Sequence, residues 1–212
     1  MSQLLADKAG CRVSIGSLRP GMPGRVVLDG VKLYDLRDTL MLQASRIAAK
    51  VDFLPLLERK VRISGAQLIG VRATLYRDGE APPNFQFLVD AFSSKDTATT
   101  PLDLRLGALV VKRGEVRFDR LGETALAEGL DLNHLHLKDV SLTARLLVRM
   151  PDTLAIDLRG LSLNEQSGLR LQGLSFELNA GNREATVRDF LMRLPHSSVE
   201  IPLLTLSHGG LR

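Results

Sequence analysis

The chain has 212 residues, of which 44% are hydrophobic and 25% charged, so its composition is that of a folded protein and not of a disordered one. Aromatic residues make up only 4% and tryptophan is absent, so the apolar surface is aliphatic and consists mainly of leucine. The net charge of +4 comes from basic residues interleaved with acidic ones, without a basic block or an aromatic stacking set, which argues against nucleic acid as a partner.

An alternation of apolar and polar residues with a period of two dominates the chain. Over residues 140–148 every even position is apolar, and Ser141, Thr143 and Arg145 fall between them. Such alternation predicts strands with one apolar and one polar face. The predicted strands cover residues 12–18, 25–35, 39–53, 61–77, 102–120, 130–150, 153–164, 169–180, 183–194 and 198–207.

Three short segments depart from this period and are predicted to be helical. They cover residues 1–9, residues 54–60 with a proline near the start, and residues 84–92. The third places Phe85, Leu88 and Phe92 on one helical face, which either packs against a sheet or plugs the end of an apolar groove.

The polar segment 93–100 (SSKDTATT) separates two patterned regions and is predicted to be a linker or mobile loop. We therefore divide the chain into an N-terminal groove segment with a capping helix, residues 1–92, and a repetitive β-groove segment, residues 101–212. The second segment is expected to be truncated at its C-terminus.

Five windows repeat an apolar–x–apolar pattern on both sides of a two-residue step. They are VVLDGVKL at 26–33, LRLGALVV at 104–111, LHLKDVSL at 135–142, IDLRGLSL at 156–163 and LRLQGLSF at 169–176. The step shifts the parity of the apolar positions, so a straight strand would place half of them on the wrong face. A two-residue hairpin or a β-bulge at the step would return these apolar positions to the apolar face. We favour bulges in most copies, because hairpins would leave strands of only three or four residues.

A sheet with one leucine-rich face must cover that face, since burial of a leucine side chain contributes roughly 1.5–3 kcal/mol. The predicted helices are too few to cover it. A closed barrel or a two-sheet sandwich would do so, but a uniform aliphatic lining favours a groove that its own side chains need not fill. We therefore predict an all-β fold: a curved, elongated, mainly antiparallel sheet folded into an apolar half-pipe. The candidate groove residues are Leu137, Leu142, Leu158, Leu163, Leu171 and Phe176.

Residues 12–92 resemble the N-terminal part of TamB-like proteins of the AsmA-like family. The resemblance rests on four segments in order: RVSIGSL at 12–18, RVVLDGVKLYD at 25–35, the long run at 38–78 and NFQFLVDAF at 84–92. Residues 100–212 match only in kind, as repetitive leucine-patterned strands.

The resemblance implies a periplasmic protein that is held in the inner membrane by an upstream helix and supports outer-membrane biogenesis. Its apolar groove would conduct or shield phospholipid acyl chains. An outer-membrane assembly protein would be met through a C-terminal part that this chain lacks. The fragment could also associate with a second copy through its open apolar face and sheet edges.

No catalytic, cofactor or metal site is predicted. His134 and His136 share one face of a strand, but no third ligand occurs at a suitable spacing, and no nucleophile elbow, phosphate loop or paired-carboxylate motif is present. Two other functions compete with the lipid groove. One is a structural or adhesive β-solenoid that binds no lipid, and the other is a glycan-binding β-sandwich, which would normally expose more aromatic residues.

Overall fold

A computed structural model of the chain describes residues 11–21, 24–52, 62–93, 103–149, 153–181 and 184–207. Most of these residues lie in ten strands that follow one another along the chain, as the period of two predicts. They are β1 (Val13–Pro20), β2 (Arg25–Tyr34), β3 (Leu40–Asp52), β4 (Arg62–Asp78), β5 (Asp103–Leu121), β6 (His134–Arg149), β7 (Thr153–Glu165), β8 (Arg170–Gly181), β9 (Glu184–Leu194) and β10 (Ser197–Ser207).

The ten strands form one sheet in sequence order, so each strand lies between its neighbours in the chain. All adjacent pairs are antiparallel except β4 and β5, which are parallel. Within the described residues the sheet does not close into a barrel, and β1 and β10 are its two edges. The prediction of an all-β, mainly antiparallel fold is therefore confirmed.

One helix, α1 (Gln86–Ser93), lies in the connection between the parallel strands, where the spacing predicts a helix over residues 84–92. Asn84 ties the start of this connection to β4. Its side-chain oxygen accepts a hydrogen bond from Tyr76 N at 3.0 Å, and its amide donates to Thr74 O at 3.1 Å. The helices predicted at 1–9 and 54–60, and residues 94–100 of the predicted linker, lie outside the described residues. No helix in the described ranges has the length and apolar character that crossing a membrane requires.

A line of irregular backbone crosses the first five strands at one depth. At this depth the pairings of β1 with β2, β2 with β3 and β3 with β4 each skip one facing pair without a change of register. The skipped pairs are Gly16/Gly30, Gly30/Ser45 and Ser45/Gly70. Gly30 and Gly70 have φ values of +63° and +62°, and Arg113 continues the line on β5 with a φ of 54°. We call Gly16, Gly30, Ser45, Gly70 and Arg113 the bulge line. Its left-handed residues are Gly30, Gly70 and Arg113, and a left-handed residue bends the strand that contains it.

The remaining strands contain comparable irregularities. The register shifts in every pairing from β5·β6 to β8·β9, and Asp139 and Asp189 have φ values of 53° and 51° in the middle of β6 and β9. Four of the five repeat windows lie inside a single strand, and the fifth begins one residue before β8. The chain does not reverse at the two-residue steps, so these copies are not hairpins.

The core of the sheet is thin. The described apolar residues that are almost completely buried are Cys11, Val31, Met41, Ala44, Ala48, Val71, Leu106, Ala144 and Leu158. Most other large apolar side chains on the strands remain partly exposed. The sheet therefore buries a narrow apolar strip instead of a two-layered core.

Candidate functional site: an apolar face across ten strands

The register brings four of the six predicted groove residues together in two cross-strand pairs. Leu158 on β7 lies opposite Phe176 on β8, and Leu163 lies opposite Leu171. Directly opposed residues project from the same face of a sheet, so each pair shares a face.

Leu158 and Leu163 lie on one face in spite of the parity step between them. On β6, Leu142 and Ala144 are two residues apart, and their partners on β7 are Leu161 and Leu158, which are three apart. The extra residue of β7 keeps both leucines on the face of their β6 partners. Leu163 follows Leu161 at the normal spacing of two, so it lies on this face as well.

Leu137 lies on the same face, at the end where the apolar residues stop. Its partner on β5 is Val116, whereas its partner on β7 is Glu165, a residue that is only 6% exposed. The apolar face is thus bounded by a buried acid at the end of β7.

The same face continues to both edges of the sheet. Toward β10 it includes the ring of Phe190, which stacks on Phe176 with a centroid distance of 6.4 Å, and then Ile201 opposite Phe190. Toward β1 the register carries it through cross-strand partners on each successive strand. These include Val111, Leu68, Ile47, Leu28 and Leu18. We call this surface the apolar face.

The apolar face is best covered in its middle and open at its edges. Leu158 is 6% exposed, while Leu161, Leu163 and Leu174 are half-buried. At the β10 edge, four residues of the apolar face are more than a third exposed: Val199, Ile201, Leu204 and Leu206. The described residues supply no second layer that would bury them, because the ten strands form a single sheet in which each packs chiefly against its neighbours.

The opposite face carries charged side chains that pair across strands. Asp29 on β2 accepts hydrogen bonds from Arg19 on β1 and from Arg46 Nε on β3, the latter at 2.8 Å. The hydrogen bonds from Arg46 and Arg19 hold the pKa of Asp29 below its ordinary value. Glu115 on β5 contacts Arg72 on β4 at 3.4 Å. We call this surface the polar face.

The two histidines of β6 lie on the polar face and each contacts two oxygen atoms. The rings of His134 and His136 approach carboxylates of β5: Asp119 at 3.3 Å and Glu115 at 2.7 Å. The other ring nitrogen of His136 lies 2.7 Å from the side-chain oxygen of Gln166. The hydrogen bond from His136 is the main cause that lowers the pKa of Glu115. Within the described ranges, no three His, Cys, Asp or Glu side chains are grouped to hold a metal ion.

Buried carboxylates organise three connections at one end of the sheet. Asp35 accepts hydrogen bonds from Arg37 N, Thr39 N and the Tyr76 hydroxyl at 2.8–2.9 Å, and so fixes the β2–β3 turn against β4. Asp131 accepts hydrogen bonds from two backbone N–H groups in the loop between β5 and β6. Glu165 accepts hydrogen bonds from Ser167 N in the β7–β8 turn and from His136 N on β6.

The sequence analysis assigned no role to these acids. A usable signal is an aspartate or glutamate followed within three residues by a turn residue, since such a side chain commonly bonds the backbone ahead of it.

The chain matches no protein-family model, and no curated protein matches it either.

Proposed function

We propose that this chain is a non-catalytic segment of a bacterial envelope protein, and that its apolar face shields or conducts the acyl chains of phospholipids. The observation that carries the proposal is the continuity of the apolar face, which crosses all ten strands while its large side chains stay partly exposed. A surface of this kind favours an apolar occupant, because water against it is unfavourable.

The dimensions of the sheet suit an elongated apolar ligand. Nine strand spacings of about 4.8 Å give a width of roughly 43 Å along the sheet. Each methylene group that leaves water for such a surface contributes about 0.8 kcal/mol. The face is almost wholly aliphatic, so it offers dispersion contacts to a flexible chain without requiring one fixed pose.

The cellular setting in the proposal comes from the resemblance of residues 12–92 to TamB-like proteins of the AsmA-like family. That resemblance implies a periplasmic protein that is anchored to the inner membrane by an upstream helix and has a role in outer-membrane biogenesis. In this proposal the curved, half-pipe form of the sheet encloses the acyl chains, and an outer-membrane assembly protein is engaged by a part of the protein beyond this chain.

A structural or adhesive β-solenoid that binds no lipid is the second candidate. Strictly sequential strand order with two open edges favours it, because such a sheet can be extended by further strands at either side. Native mass spectrometry of gently purified protein distinguishes the two functions. Bound phospholipid or detergent is expected for the groove, and none for the solenoid.

Uptake of a fluorescent phospholipid tests the proposal on variants. Leu171→Asp places a carboxylate on a half-buried part of the apolar face, where partial hydration lowers the cost of the charge. We expect this variant to stay folded and to lose uptake. Leu158→Asp places it on a buried part of the face, so it should also lower the melting temperature strongly.

The matched control is Asn179→Asp, which adds a carboxylate to an exposed position on the polar face of β8. This control should leave both melting and uptake unchanged. Unchanged uptake in Leu171→Asp, or equal loss of uptake in Asn179→Asp, would count against a lipid-binding apolar face.

A further inference from the structure

A cleft of about 760 Å³ follows the bulge line on the polar face of β2 to β6. Its floor is a row of cross-strand partners, in which Lys32 lies opposite Gln43, Gln43 opposite Arg72, and Arg72 opposite Glu115. The bulge-line residues Gly30, Ser45, Gly70 and Arg113 line it along one side. The cleft therefore lies along the same line at which the apolar pattern of these strands changes parity.

Positive charge predominates in this cleft. Four basic side chains line it, Lys32, Arg72, Arg113 and Lys138, against two acidic ones, Glu115 and Asp139. Both acids already have partners, because Glu115 contacts Arg72 and His136, and Asp139 accepts a hydrogen bond from Asn164 at 3.0 Å. The hydrogen bond from His136, followed by the charges of His136, Arg72 and Lys138, keeps the pKa of Glu115 low, as expected in a positive field.

Arg113 is the least expected residue of the bulge line. Its φ of 54° is a left-handed conformation that glycine adopts freely and that a residue with a Cβ adopts only with strain. Gly30 and Gly70 fill the corresponding positions on β2 and β4. If position 113 served only to bend the strand, glycine would do so with less strain. The presence of arginine there therefore indicates a role for its side chain.

The spacing of the basic residues indicates an elongated ligand. Lys32, Arg72 and Lys138 lie on β2, β4 and β6, and neighbouring strands are about 4.8 Å apart. The cationic row therefore extends over roughly 19 Å, much longer than a single phosphate ion. Arginine can donate paired, directed hydrogen bonds to phosphate oxygens, and lysine attracts them as a compact point charge.

We infer that this cleft binds an elongated anion that carries several phosphate groups, and that Arg113 contributes to binding together with Lys32, Arg72 and Lys138. The site is on the face opposite to the proposed acyl-chain surface, and it does not depend on that proposal. The phosphate groups can belong to a soluble polyphosphate or to the headgroups of anionic lipids, and the same side chains would contact either.

Isothermal titration calorimetry with tripolyphosphate tests the soluble source, and co-sedimentation with phosphatidylglycerol-containing vesicles tests the lipid source. Binding in either assay that weakens with added salt is the expected result, because the contacts are between exposed charges. Absence of binding in both assays at low salt would overturn the inference.

Arg113→Gly separates the ligand role from a structural one. It removes the guanidinium and relieves the left-handed strain, so the melting temperature should rise while affinity for the probe that binds falls about tenfold or more. Lys138→Gln should weaken binding severalfold without the gain in stability. Arg193→Gln removes a basic residue of β9 outside the cleft and should leave affinity unchanged. Unchanged affinity in Arg113→Gly, or an equal loss in Arg193→Gln, would show that the cleft is not the binding site.

Discussion

Gly70 provides a quantitative test of the bulge line. An alanine Cβ at this position would lie 2.6 Å from Ser45 Oγ and 3.2 Å from Ser45 Cβ, and the residue has a φ of +62°. Gly70→Ala therefore combines two unfavourable effects, a left-handed alanine and a steric conflict with the neighbouring strand. The substitution changes no charge and no apolar contact, so these two effects account for the loss of stability.

The two effects can be separated with other glycines of the chain. Gly79 has a φ of +52°, but a Cβ added there would meet nothing within 4 Å, so Gly79→Ala shows the conformational cost alone, about 1–2 kcal/mol. The steric conflict at Gly70 adds an overpacking cost of about 1–3 kcal/mol. Gly70→Ala is thus expected to destabilise the protein by about 2–5 kcal/mol. Gly160 has neither a left-handed φ nor a close neighbour, so Gly160→Ala should be nearly neutral.

Urea unfolding monitored by far-UV circular dichroism measures all three variants. The double variant Gly70→Ala/Ser45→Gly should recover the steric part and come close to Gly79→Ala, because both Ser45 atoms that meet the new Cβ are removed. Equal losses for Gly70→Ala and Gly79→Ala, without rescue by Ser45→Gly, would refute the close strand contact at the bulge line.

Three other features give predictions. Asp35→Ala should lower the free energy of unfolding by about 2–4 kcal/mol and Tyr76→Phe by about 1 kcal/mol, with non-additive effects in the double variant, because their side chains share a hydrogen bond. Burial alone would raise the pKa of Glu165, but hydrogen bonds from Ser167, His136 N and Gln166 N outweigh it and lower that pKa. The stabilisation by this carboxylate is therefore complete above the unfolded-state pKa of about 4, and it is lost as the pH falls through the lower pKa of the folded state. Urea midpoints measured from pH 7 to pH 2 would show this loss. Glu165→Gln should give a flatter dependence of the midpoint on pH. The exposed apolar edge at β10 should cause concentration-dependent association in sedimentation velocity, and Leu204→Lys should reduce it; a monomer at all concentrations would contradict this.

The strands were predictable because a period of two is a local property of the chain. The ends of the strands in the described residues agree with the predicted ends to within two residues, with one exception. The exception is β6, which begins at His134 instead of residue 130. Residues 130–133 have strand-like composition, but Asp131 bonds Leu126 N and Asn133 N and holds them in a loop. A side chain that satisfies the backbone locally competes with the strand ladder, and alternation alone does not reveal this.

The parallel pairing of β4 and β5 was not predicted, because it is a property of the connection and not of either strand. Antiparallel neighbours need only a short turn, whereas parallel neighbours need a crossover long enough to return to the starting edge. The segment from Gly79 to Leu102, with α1 inside it, is long enough for this return. Its length and its helical spacing were visible in the sequence, and together they indicate a crossover between parallel strands.

The cationic cleft was also not predictable from the sequence, for a different reason. Lys32, Arg72 and Lys138 are separated by 40 and 66 positions along the chain and become neighbours only through the register. Single basic residues scattered among acidic ones give no cluster in the sequence. The sheet collects them into one row because each is on the polar side of its own strand at the same depth.

One backbone feature shapes both surfaces of this sheet. β2, β4 and β5 each contain a left-handed residue where their apolar pattern changes parity, and such a residue bends the strand. Because adjacent strands change parity at the same depth, the bends align, the apolar face stays continuous, and the polar face acquires a transverse cleft. A backbone substitution such as Gly70→Ala should therefore disturb phospholipid uptake and polyphosphate binding together. Side-chain substitutions should separate them, since Leu171→Asp alters only the apolar face and Arg113→Gly only the cleft.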